Sequence, residues 1–475
     1  MDELPSTHET HETHEADTVR FLAPITRVHR AELITALLLT LDVFLVLTSY
    51  ACIKPVREAL ILVLPRGPQD KIYLGAVIGL TTAVAVPLYG RVATRPPRNR
   101  LIIGVTLFFA SHLAAFYAWG HALGPSPALA VAFYVWISVF NMMIVAQFWS
   151  FANDVYTEEA GKRIFPLIGV GASLGAVFGS WLARELLDRV GTFGMLLFAG
   201  ALLLASTPLV QIVHRREARV SRRAAQPVAE RGEAFRLVAR DRYLTLIAVF
   251  AVLFTLIKTD GEFVLAKLIR QAAEDNGHGG AAMSGYIGHL YARYNFYVDV
   301  GSLVLELFVV SRVVRRFGVG AAFLALPFVA LAGNLALAWL PTLLVAFPSR
   351  IAENATDYSM NNTALNMLWL PTSRRAKYIA KEAIDTFFVR LGDVSSALLV
   401  FVSVTLLALP LRSFVAINLV FVALSVLVAR AILARRASLL RGRRDEEENG
   451  EREDDGRGPA RPSVEAPVLQ PRNSS

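Results

Sequence analysis

The chain has 475 residues, 54% of them hydrophobic, a formal net charge of +9 and one cysteine, Cys52. A mean hydropathy of +0.46 is too apolar for a soluble protein of this size, and one cysteine excludes a disulfide within the chain. The positive balance does not signal nucleic-acid binding, because the basic residues punctuate long apolar runs and do not gather on a soluble face.

Residues 1–30 read as a hydrophilic, disordered cytoplasmic tail with no cleavable signal. The repeat STHETHETHEAD spaces His8, His11 and His14 by three. A helical zinc pair needs a spacing of four, so no metal site is expected. Twelve apolar runs follow, at about 32–63, 72–93, 100–119, 128–151, 164–187, 192–213, 243–270, 286–311, 319–339, 341–361, 383–408 and 413–434. Each is close to the roughly 20 residues that span a bilayer. The expected fold is an all-α membrane protein with twelve transmembrane helices.

Lys and Arg set its orientation. Nine lie between His214 and Arg242 alone, whereas the loops on the other side hold Arg66, Lys71, Arg184, Arg189, Arg270 and Arg412. Positive loops stay inside, so both termini are expected in the cytoplasm. The basic segment 214–242 divides the chain into two six-helix halves, 31–213 and 243–435, and can rest on anionic lipid. Residues 436–475 read as a disordered, charged cytoplasmic tail.

Within this frame the first run carries Lys54-Pro55-Val56-Arg57-Glu58, where the proline interrupts the helix. The fourth run ends in Asn153-Asp154, followed by a turn with Lys162 and Arg163. The fifth run then places Gly171, Gly175 and Gly179 four apart, on one face where a second helix can come close. This face is expected to be a moving contact. The seventh run holds Lys258, Asp260 and Glu262, and the eleventh Arg390 and Asp393.

Charge at bilayer depth costs roughly 2.5–3.5 kcal/mol, so these residues are expected to face the bundle interior. Lys54 and Lys258 occupy the first helix of each half, as suits a central cavity that holds a polyanion. Internal pairing is the competing reading for Arg57 with Glu58 or Asp154, and for Arg390 with Asp393. Trp149, Phe151, Tyr291, Tyr294, Phe296 and Tyr297 could stack on a base, or serve only packing and anchoring at the interface. The sequence shows no phosphate loop of the GxxxxGK[ST] kind and no nucleophile elbow, so neither an enzyme nor a bound cofactor is expected.

FWSFANDV, KRIFPLIGVGASLGA and Lys54-Pro55-Val56-Arg57-Glu58 resemble the bacterial and plastid type of ATP/ADP antiporter, a family related to the major facilitators. The resemblance runs from about Ala31 to Arg435. It implies a nucleotide exchanger in which Lys54, Glu262 and the polar pair Asn153-Asp154 matter for transport. The family's second-half lysine is missing, since the matching place reads Leu365-Asn366-Met367.

The expected function is a carrier of an anionic solute, a nucleotide or related phosphorylated metabolite, by alternating access. Its substrate site would comprise Lys54, Arg57, Asn153, Asp154, Lys258, Glu262 and Arg390, with Asp260 and Glu262 as coupling or proton sites. Two alternatives stand beside it: a proton-coupled carrier of an unrelated organic solute, and a non-transporting membrane scaffold. The expected location is a bacterial inner membrane, since arginine greatly outnumbers lysine as in high-GC sources.

Overall fold

The computed structural model describes residues 29–93, 98–217, 231–372 and 380–455. The histidine repeat and the last twenty residues lie outside them. The regular elements are helices. A first group comprises α1 (Arg30–Leu62), α2 (Gly67–Ala93), α3 (Arg98–Leu123), α4 (Pro127–Val155) and α5 (Glu158–Arg216). After α6 (Arg231–Arg240) come α7 (Arg242–Asp275), α8 (Gly280–Val304) and α9 (Ser311–Trp339). The chain ends through α10 (Leu343–Thr356), α11 (Asn362–Leu368), α12 (Val389–Phe401) and α13 (Leu411–Asp455). Short π-helical turns join α8 to α9 and α10 to α11, at Leu305–Val310 and Asp357–Asn361.

The chain marks where its helices start. Ser126 accepts the Leu129 amide ahead of Pro127 at the first turn of α4. Asp241 accepts the amides of Tyr243 and Leu244 at the start of α7. Such caps satisfy amides that have no partner within the helix. α13 continues to Asp455, beyond the point where the charged tail was expected to begin, through Glu- and Arg-rich sequence that favours helix.

Among the described residues eight helical stretches are long and apolar enough to cross a membrane. Two of them are 54 and 60 residues long. Continuous helices of that length would measure roughly 80–90 Å, against about 30 Å of hydrocarbon. Each is broken at a glycine with positive φ: Gly191 (φ 72°, ψ 170°) in α5 and Gly318 (φ 80°, ψ 173°) in α9. Only glycine takes this conformation without strain.

Contacts with α1 give the directions of the two arms of α5. Gly171 meets Thr40, Gly175 meets Phe44 and Gly179 meets Thr48, so the first arm runs parallel to α1. Thr35 donates to Glu217 and Ser49 to the Ala199 carbonyl, so the second arm runs antiparallel to it. The chain therefore doubles back at Gly191.

The small-residue face predicted on the fifth run is real, but it packs inside the first group. A Cβ at Gly175 would stand 2.5 Å from the Phe44 carbonyl oxygen. Thr48 donates to the carbonyl of Gly175, and Cys52 reaches that of Gly179. This contact fastens α1 to α5. The two groups meet elsewhere, through α2 against α12 and through α5 and α1 against α8.

Candidate functional site

A cavity of about 700 Å³ lies between the two groups. Its α7 residues run only from Ile247 to Glu262. It therefore extends from mid-helix toward the end where α7 begins, and closes toward the end where α7 finishes. Six cations line it, Lys54, Arg57, Lys71, Lys258, Lys381 and Arg390, against four carboxylates, Glu58, Glu262, Asp385 and Asp393. Five of the residues predicted from sequence are thus brought together: Lys54, Arg57, Lys258, Glu262 and Arg390. Asn153 and Asp154 are exposed at the end of α4, outside the cavity lining.

The closed end is built on an ion-pair chain. The Arg57 guanidinium lies 2.5 Å from Glu58 Oε1 and over the ring of Tyr134. Lys71 Nζ stands 2.9 Å from Glu58 Oε2 and 3.1 Å from Glu262 Oε2. Since Glu58 and Lys71 belong to the first group and Glu262 to the second, this chain ties the two together. Glu262 Oε1 also accepts from Tyr294 and Asn354, each at 3.3 Å. Beyond it, Arg270 donates to the carbonyls of Leu62 and Leu64, and His289 faces Asp188 across the same seam.

Lys71 is a correction to the sequence reading, which put it in an outer loop. It is buried in α2. Two carboxylates and the ring of Tyr291, 5.1 Å away, compensate a charge whose burial alone would be prohibitive.

The other cavity cations differ in what neutralises them. Lys258 Nζ is 3.0 Å from Asp357 Oδ2, and the Tyr358 ring lies 4.9 Å from it. Asp357 and Tyr358 stand in the π-turn between α10 and α11, the kind of helical bulge that re-aims side chains at functional sites. Arg390 pairs with Asp393 at 2.9 Å, and Arg57 with Glu58, so internal pairing holds for both. Both still line the cavity. Lys54 and Lys381 have no carboxylate within ion-pair distance among the described residues. Lys381 donates instead to the Asn366 amide oxygen at 2.8 Å. Each group thus presents one cation without a pairing acid, Lys54 from α1 and Lys381 from the segment leading into α12.

Asp260 lies apart from the cavity lining. It is 1% exposed, and neither carboxyl oxygen has a hydrogen-bond partner among the described residues. Of the aromatic residues proposed for stacking, Tyr291 and Tyr294 line the cavity. Trp149, Phe151, Phe296 and Tyr297 do not.

Sequence reasoning missed Lys71, Arg350, Asn354 and Lys381. Arg350 is the deepest omission. It is 2% exposed, lies 2.5 Å from Glu353 and 3.8 Å from Glu262, and donates to the Lys258 carbonyl. It also fills the space above Gly261, where a Cβ would meet its guanidinium. Its signal was present, as Arg350 and Glu353 lie three apart within an apolar run, the spacing of a helical ion pair.

No family model matches the chain. ADP,ATP carrier protein 1 of Chlamydia muridarum is 23% identical over 455 residues, covering 80% of this chain and 83% of the relative. The protein of the same name from Chlamydia trachomatis is 24% identical, with the same shares covered. A plastidic ATP/ADP-transporter of Solanum tuberosum is 22% identical over 322 residues, covering 58% of this chain and 49% of its own. Among solved structures, the nucleoside transporter NupG superposes with a TM-score of 0.58 at 13% identity, covering 86% of this chain and 99% of that one. A bacterial homologue of the iron transporter ferroportin, in an inward-facing state, gives 0.57 at 14%, covering 84% and 98%. The chain is similar to these Chlamydia ADP,ATP carrier proteins over 80% of its length, and it shares the fold of these solved transporters. It is a multi-pass membrane protein of a kind whose named relatives are carriers, not enzymes.

Proposed function

We propose that this protein is a nucleotide carrier that exchanges ATP- or ADP-like anions across a bacterial inner membrane by alternating access. One observation carries the reading: the cavity between the two halves holds two more cations than carboxylates, and a cation without a pairing acid comes from each half. A nucleoside polyphosphate that bridged Lys54 and Lys381 would draw on both halves at once. Its charge would offset burial that is otherwise unfavourable. The names of the relatives, ADP,ATP carrier and ATP/ADP-transporter, support nucleotide as the substrate.

The chain crosses the membrane twelve times in this reading. The breaks at Gly191 and Gly318 turn two long stretches into four crossings, and α2 and α10–α11 add two more. The positive charge of the segment between the halves supports a cytoplasmic open end for the cavity. Glu58, Lys71 and Glu262 then hold the outer end shut. Opening that end requires the Lys71–Glu262 bond to break, which makes Glu262 the coupling residue.

The test is uptake of labelled ATP into proteoliposomes, with and without ADP on the opposite side. Stimulation by ADP supports exchange, and Lys54→Gln should abolish it. A second reading, proton coupling, is favoured by the buried Asp260, whose carboxyl accepts no hydrogen bond among the described residues. Uptake driven by a pH gradient without counter-substrate would establish it instead.

A further inference from the structure

The central cavity has a second lobe of about 660 Å³ on the side of the first half. It joins the charged lobe at Arg57, Gly75, Arg390 and Asp393, which line both. Beyond that junction the second lobe is lined only by neutral residues, among them Tyr50, Ile78, Ser138, Asn141, Met142 and Val145. The last four stand at i, i+3, i+4 and i+7 and share one face of α4.

Two of the hydroxyls in this lobe are already committed. Ser138 donates to the Tyr134 carbonyl and Thr82 to that of Gly79. Asn141 has no hydrogen-bond partner among the described residues, so a donor and an acceptor with fixed mutual geometry face the lobe. A half-buried amide left unpaired is costly unless a ligand or water completes it.

We propose that this lobe is the nucleobase subsite of the carrier, and that Asn141 reads the edge of a 6-aminopurine. The inference rests on the nucleotide reading above. An exocyclic amino group would donate to Asn141 Oδ1 while the adjacent ring nitrogen accepts from Nδ2, the bidentate pairing through which Asn recognises adenine elsewhere. Ile78, Met142 and Val145 give the flat ring apolar walls. Spacing along α4 supports the division of labour. Asn141 lies seven residues beyond Tyr134, about 10 Å along the helix, and Tyr134 is the ring beneath the Arg57 guanidinium. The phosphates would lie in the charged lobe, the sugar would pass Gly75, and the base would lie against α4. At Gly75 a Cβ would meet nothing within 4 Å, so the passage is open.

The test is competition against labelled ATP by unlabelled ATP, GTP and inorganic tripolyphosphate, on purified protein in proteoliposomes. In the wild-type protein ATP should compete better than GTP. Asn141→Leu should weaken ATP roughly ten- to a hundredfold and erase the preference over GTP, while tripolyphosphate inhibits as before. Retained tripolyphosphate inhibition also shows that the variant is folded. ATP affinity within twofold of wild type in Asn141→Leu overturns the assignment. So does an equal loss for ATP and tripolyphosphate, which would mark Asn141 as structural. A wild-type protein that binds tripolyphosphate without favouring ATP refutes the base subsite alone. One that binds neither refutes the nucleotide reading with it.

Discussion

The α1–α5 contact allows a substitution whose cost can be worked out against an internal control. In Gly175→Ala the new Cβ stands 2.5 Å from the Phe44 carbonyl oxygen and 2.9 Å from its Cα. Ordinary carbon–oxygen contacts begin near 3.3 Å, so the helices must part by about 0.8 Å. The neighbours are backbone atoms and have no rotamer to change. Overpacking of this kind costs about 1–3 kcal/mol. Alanine returns about 1 kcal/mol of helix propensity. Gly169, on the same helix, has nothing within 4 Å of its Cβ, so Gly169→Ala takes the propensity gain without the clash. The difference between the two variants isolates the contact, at about 1–3 kcal/mol. Thermal unfolding in detergent should place Gly175→Ala below wild type and Gly169→Ala at or above it. If Gly175→Ala unfolds with Gly169→Ala and transports normally, α1 and α5 are not held at the distance the structure gives.

Four further outcomes follow from the cavity. Lys54→Gln should lower nucleotide affinity at least tenfold with little change in unfolding temperature, because it removes a cation that pairs with no acid; binding by calorimetry checks this. Glu262→Gln should leave binding within a few fold and loosen coupling, raising uptake without counter-substrate, since it weakens the bond to Lys71 that holds the outer end shut; uptake with and without ADP on the opposite side checks this. Lys71→Met should destabilise the protein by about 3–5 kcal/mol, because it strands Glu58 without one of its two cationic partners, and the double variant Lys71→Met with Glu58→Gln should recover part of the loss. Gly75→Phe should leave the unfolding temperature unchanged and block transport, as its side chain projects into the junction of the two lobes; normal uptake would show that the substrate does not pass there.

The fold was largely legible because lipid restricts the choices. Backbone groups in hydrocarbon must be satisfied within the chain, so long apolar runs can only be helices. Composition reads as twelve runs, and the described residues form eight helical stretches long and apolar enough to cross a membrane. The apolar runs of the sequence already part at 187–192 and at 311–319, and the backbone adds which residue makes each break, Gly191 and Gly318, both with positive φ. The small-residue spacing at Gly171, Gly175 and Gly179 foretold a close contact correctly. Its partner, α1, was not named in advance, because periodicity reports that a face is narrow and does not report which helix will lie on it.

The cavity lining was legible where charge interrupts an apolar run, as at Lys54, Arg57, Lys258, Glu262 and Arg390. It failed where the same signal fell near a run's end. Lys71 stands just before the second run and reads as a loop cation, yet folding turns it inward, because Glu58 and Glu262 offer two carboxylates that water would otherwise have to solvate. The second-half cation shows the same limit from the other side. Position 365 is leucine, and sequence comparison alone reads that as a missing charge. In the folded chain Leu365 lines the cavity, and Lys381 reaches Asn366 beside it from a segment fifteen residues further on. A cavity needs a cation at a point in space and is indifferent to which helix supplies it. If Lys381 does fill that role, Lys381→Gln should weaken nucleotide binding as Lys54→Gln does. Returning the charge as Leu365→Lys in the Lys381→Gln background should restore part of the loss. Failure of Lys381→Gln to alter binding would leave the second half without an anion-holding cation, and the bridging of the two halves by substrate would have to be abandoned.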